Sequence, residues 1–123
     1  MSLLNSLYDI VESQKSKDQS TFVIRFNPSH PIFAGHFPGH PVVPGACLVQ
    51  IAEELAGVFM GTTVCFNAIR NLKFRQPIYP DMEVTLCIEN GERDKSFNFH
   101  LSTFNSVNAS FAVTYLCPDT DVQ

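Results

Sequence analysis

Apolar and polar residues change period twice along this chain of 123 residues. From Thr21 to Phe26 (TFVIRF) they alternate, with Phe22, Ile24 and Phe26 on one side, as a half-buried strand requires. Asn27-Pro28-Ser29-His30-Pro31 stops that strand. From Ala46 to Phe59 the period becomes helical. At about 100° per residue Gln50, Glu53 and Glu54 fall in one narrow arc. Cys47, Leu48, Val49, Ile51, Ala52, Leu55, Ala56, Val58 and Phe59 fill the rest of the circumference, so this helix must be wrapped by other elements. Gly57 or Gly61 marks its end.

Alternation returns after Thr62. Thr63 to Ala68 predicts one short strand and Ile69 to Arg75 (IRNLKFR) another, before a two-proline break over Gln76-Pro77-Ile78-Tyr79-Pro80-Asp81. Glu83 to Glu89 (EVTLCIE) turns Val84, Leu86 and Ile88 to one side. Asn90-Gly91 opens a hairpin loop that runs through Lys95. Ser96 to Phe104 presents Phe97, Phe99 and Leu101; Asn105 to Asn108 turns the chain, and Ala109 to Leu116 forms a last strand. At the N-terminus, Met1 to Glu12 fits either a short strand or one helical turn. Ser13 to Ser20 is polar throughout and reads as an exposed loop, and the polar tail after Pro118 as frayed. One buried helix among antiparallel strands implies an α+β domain in which a sheet wraps a central helix.

Composition narrows the function. A hydrophobic fraction of 45% with 16% charged residues indicates a globular domain. A net charge of −4 argues against nucleic acid as partner. Arg70, Lys73 and Arg75 nonetheless form a local basic cluster that an acidic carrier protein can use. Cys47, Cys65, Cys87 and Cys117 include no Cys-x-x-Cys pair and sit among apolar residues, without a leading signal peptide. They read as reduced core thiols of a cytoplasmic protein. No apolar run approaches the roughly 20 residues of a membrane span.

The chemistry concentrates in His36 to Gly45 (HFPGHPVVPG), which precedes the helix. Three prolines and two glycines exclude regular structure there. His36-x-x-x-His40 has the spacing of a metal pair, but such pairs normally lie on a helix, where they share a face, and no His, Asp or Glu partner follows at ligand spacing. A histidine acting as general base, beside a helix start whose unpaired N–H groups polarise a carbonyl, is the alternative to a packed loop histidine. The Gln50, Glu53 and Glu54 stripe is either a solvent face or the polar side of that site.

GHFPGHPVVPG and the apolar helix after it are very similar to the motif of the (3R)-hydroxyacyl-acyl carrier protein dehydratases, which have the hot-dog fold. IRNLKFRQPIYPDMEVTLCIE resembles the same family's strand, Pro-x-x-Pro turn and long strand, although Pro80-Asp81 lacks the glycine usual between them. The similarity spans about residues 20–116. It implies a homodimer with sites shared between subunits, acting on a substrate carried by the phosphopantetheine of acyl carrier protein, with no cofactor. By the same resemblance His36 removes the C2 proton and the Gly45 N–H holds the thioester carbonyl. Phe37, Pro44 and Ala46 are expected beside the substrate.

The family's acid stands fourteen positions after the histidine, and here that position is Gln50. A carboxamide cannot supply a proton near neutral pH. Glu54, one turn on along the stripe, is the candidate replacement. Two other readings stay open: a thioesterase using Glu54 to activate water, and a non-catalytic acyl-thioester binder or heterodimer partner, for which Gln50 is the reason.

Overall fold

Helix α1 (Gly45–Met60) lies against the inner face of one six-stranded antiparallel sheet. The computed structural model describes residues 2–34, 39–104 and 106–121, with side chains through 119. The strands are β1 (Tyr8–Lys15), β2 (Gln19–Phe26), β3 (Cys65–Phe74), β4 (Glu83–Asn90), β5 (Ser96–Thr103) and β6 (Ser106–Leu116), in the order β1-β2-β4-β5-β6-β3. A short helix, α2 (Pro118–Asp121), stands where a frayed tail was expected.

The alternation read from the sequence sets the sheet's inner face. Register places Ile24 opposite Val84, Leu86 opposite Leu101 and Phe99 opposite Phe111, all buried. Rings dominate the far end: Phe97 stacks on Tyr115 at 4.3 Å and meets Phe59 of α1 at 6.0 Å. From the helix, Leu48, Ile51, Ala52, Leu55, Ala56 and Phe59 are buried against them. Each large side chain so buried contributes about 1.5–3 kcal/mol relative to exposure. Gly61 closes the helix in the left-handed conformation (φ 74°), its N–H returning to Gly57 O at 2.8 Å.

Four expectations need correction. The polar stretch Ser13–Ser20 is mostly strand: β1 runs to Lys15, and β2 begins at Gln19. Ser13 to Lys15 lie on β1, an edge strand where backbone pairing suffices and side chains meet water. Ser20 is instead buried in β2, and its hydroxyl donates to Gln14 O at 3.0 Å. The two runs from Thr63 to Arg75 form one strand, β3, whose register shifts between Arg70 and Lys73 around Asn71 (φ 56°). The turn placed at Asn105–Asn108 is shorter, because β6 already starts at Ser106 and Asn108 is buried within it. Only Cys47 and Cys117 are core thiols. Cys65 is exposed, and Cys87 is half-buried on the face opposite Leu86 and Ile88. Burial pushes the Cys47 thiol up; burial, then the charge and hydrogen bond of Glu89, do so for Cys87.

Candidate active site

The site region opens at the start of α1. Pro44 takes the N-cap with extended backbone, and its carbonyl accepts from Cys47 N at 3.0 Å and Leu48 N at 3.2 Å. The helix itself offers no acceptor to the amides of Gly45 and Ala46, which is what gives a helix start its affinity for negative oxygen. The Phe74 ring covers Gly45: a methyl group there would stand 2.7 Å from Phe74 Cζ. Glycine at this position lets the ring approach the helix start.

Beside this start lies a mainly apolar groove of about 320 Å³, lined by Val42, Val43, Gly45, Leu48, Phe74 and Arg75, and continuing along 76–78. Its walls are tied together. Val43 N donates to Ile78 O at 2.8 Å, and Arg75 N donates to Asn108 O at 2.7 Å. Buried Asn108 also accepts through Oδ1 from Thr103 N (3.0 Å) and Thr103 Oγ1 (2.8 Å), and donates through Nδ2 to Pro77 O (3.3 Å). Sequence reading took Asn108 for a turn residue; nothing local distinguishes a buried asparagine from an exposed one.

The polar stripe of α1 is half-buried and anchors other elements. Glu53 accepts from Phe66 N at 2.8 Å, fastening the start of β3. Glu54 accepts from Leu3 N (2.8 Å), Leu4 N (3.0 Å) and the Tyr8 hydroxyl (2.9 Å), with Ser2 Oγ at 3.4 Å. Gln50 Nε2 donates to Glu54 Oε2 at 3.1 Å. In every one of these contacts Glu54 is the acceptor, the reverse of the proton donor expected from the stripe. Tyr8 is buried, and desolvation first, then the hydrogen bond and charge of Glu54, push its hydroxyl far above the ordinary tyrosine range.

Of the residues singled out by sequence, His36 and Phe37 lie outside the described residues. Gly45 is at the groove, Pro44 caps the helix half-buried beside it, and Ala46 is exposed on the first turn. At 1.5 Å per residue Gln50 stands about 7.5 Å along the axis from Gly45 and Glu54 about 13.5 Å. His40 is exposed. Among the described residues no three His, Cys, Asp or Glu side chains gather closely enough to hold a metal ion. None of the described helices is long and apolar enough to cross a membrane.

The chain is 36% identical over 70 residues to the 3-hydroxyacyl-[acyl-carrier-protein] dehydratase FabZ of Geotalea uraniireducens, covering 50% of this chain and 48% of that one. It is 33% identical over 92 residues to FabZ of Zymomonas mobilis, covering 68% and 58%. The chain thus spans about half the length of the curated relatives it matches. In structure it is similar to the dehydratase heterocomplex ApeI:P from Xenorhabdus doucetiae, with a TM-score of 0.77 at 19% identity over 86% of this chain and 95% of that one. The PaaI protein of the E. coli phenylacetic acid degradation operon is also similar, with a TM-score of 0.64 at 15% identity over 88% and 81%. These neighbours share the hot-dog fold. Residues 12–112 match the model of the ApeI-like family, described as ApeI dehydratase, and the chain belongs to that family.

Proposed function

We propose that this chain binds a 3-hydroxyacyl thioester carried on the phosphopantetheine of an acyl carrier protein and removes water to give the trans-2-enoyl thioester. The observation that carries this reading is the groove ending on the helix start, where Gly45 lies under Phe74. An acyl-pantetheine arm laid in the groove brings its thioester oxygen to the Gly45 N–H. His36 then takes the C2 proton, the C–H electrons form the C2=C3 bond, and the carbonyl oxygen carries charge held at the helix start. The C3–O bond breaks, and hydroxide leaves as water after gaining a proton. The elimination is redox-neutral, so no cofactor is required. Exposed Arg70, Lys73 and Arg75 suit an acidic carrier protein, and the setting we propose is cytoplasmic.

Two copies pair in this reading. Strand β3 ends the sheet as a long edge with Ile69, Leu72 and Phe74 between 41% and 51% exposed, large apolar side chains of the kind that pairing with a second copy covers. Pairing also brings Gln50 of one subunit to the base of the other.

Gln50 favours a second reading, a partner that completes its site only with a paralogue bearing an acid at that position. One experiment separates the readings: incubation of the purified protein with a 3-hydroxyacyl carrier protein, followed by mass spectrometry. Enoyl product, with mass lower by one water, supports the dehydratase. Unchanged substrate in a folded dimer favours the partner role, and free acid indicates thioester hydrolysis.

A further inference from the structure

Glu54 is held by two groups that can only donate, the backbone amides of Leu3 and Leu4. The Leu3 and Leu4 amides reach its two oxygens, and the Tyr8 hydroxyl adds a third donor. A carboxylate so held has only acceptor capacity toward the next side chain on the stripe, so Gln50 must turn its amide nitrogen toward it, as the 3.1 Å contact has it. The reversed amide would set a carbonyl oxygen against a carboxylate oxygen. The carbonyl end of Gln50 is therefore directed away from Glu54.

We infer that Glu54 is a positioning residue that makes Gln50 present its carbonyl oxygen to the substrate's C3 substituent, so that the site selects a 3-hydroxyacyl chain over its 3-oxo and saturated counterparts. This rests on the dehydratase reading, which puts position 50 at C3. A 3-hydroxyl group donates to a carbonyl oxygen, whose two lone pairs allow this alongside another contact. A 3-oxo group offers only lone pairs and is repelled, and a saturated chain leaves the amide without that bond. Gln50 thus reads the hydroxyl without giving it a proton, and the proton that makes it water comes from solvent at this point or from a partner chain.

The test is binding in a His36→Ala background, which holds the substrate unreacted, with 3-hydroxyoctanoyl, 3-oxooctanoyl and octanoyl pantetheine measured by calorimetry. The hydroxy ligand should bind about three- to tenfold more tightly than the saturated one, the scale of a single net hydrogen bond, and the oxo ligand should bind most weakly. Gln50→Leu, which leaves the N-terminal anchors alone, should erase the difference. Glu54→Gln should shrink it, because a neutral amide no longer dictates which end of Gln50 faces outward; its melting temperature checks that it folds. Hydroxyl preference that survives Glu54→Gln unchanged overturns the positioning role. Equal binding of all three ligands overturns the inference but spares the acyl-thioester reading, whereas no binding of any overturns both.

Discussion

The Tyr8 hydroxyl donates to Glu54 Oε1 at 2.9 Å and ties the first residue of β1 to the middle of α1. Two further donors are the backbone amides of Leu3 and Leu4, so a single carboxylate organises the whole N-terminal approach to the sheet. Tyr8→Phe keeps the ring and removes one charge-assisted bond, which should cost about 1–2 kcal/mol in urea unfolding. The sign of its pH dependence is fixed by the raised tyrosine. Above about pH 10 the unfolded chain loses the Tyr8 proton and the folded chain keeps it, so stability falls as pH rises. The variant should show a shallower fall over that alkaline range than the parent. Identical slopes would count against a buried, protonated Tyr8.

Asn108 holds the Arg75–Pro77 wall of the groove to the β5–β6 connection. Asn108→Ala should leave Thr103 without its acceptor and cost about 2–3 kcal/mol of stability. Weaker acyl-pantetheine binding should accompany it, since the Pro77 carbonyl loses its side-chain donor while the backbone bond from Arg75 N to position 108 stays. A loss of stability with binding untouched would show that the tie serves the fold alone.

His36→Ala should remove about 10²–10⁴-fold of the turnover with the melting temperature preserved. His40 is exposed, and His40→Ala should change the rate less than a few-fold. Equal losses at the two positions would point to a shared structural or metal-binding role.

The Gln50–Glu54 pair makes the acid question experimentally sharp. Gln50→Glu alone sets two carboxyl groups where an amide and a carboxylate now stand 3.1 Å apart. Such a pair shares a proton and loses activity as pH rises and the proton leaves. The exchange Gln50→Glu with Glu54→Gln restores one acid beside one amide. It should raise turnover by about 10²-fold or more over the parent, with less dependence on pH than the single variant. A parent already as fast as the exchanged protein would mean that protonation of the leaving hydroxyl does not limit the rate.

Wherever side chains alone decide an outcome, the sequence was sufficient. Phe22, Ile24 and Phe26, Val84, Leu86 and Ile88, and Phe97, Phe99 and Leu101 alternate because one face of each strand is buried and the other is not. Helix α1 begins at Gly45 because Pro44 caps it with extended backbone, and it ends at Gly61 because glycine tolerates the left-handed closure. The motif around His36 identified the family from residue types and spacing. Tertiary structure decided what backbone groups and distant partners control. β1 extends through a polar stretch because strand pairing needs N–H and C=O groups, not apolar side chains. Asn108 is buried because Thr103 and Pro77, far apart in sequence, converge on it. Glu54 looked like a free acid on a polar stripe. Only the folded chain brings Leu3, Leu4 and Tyr8 to it, about fifty residues away in sequence, and turns a candidate donor into an acceptor.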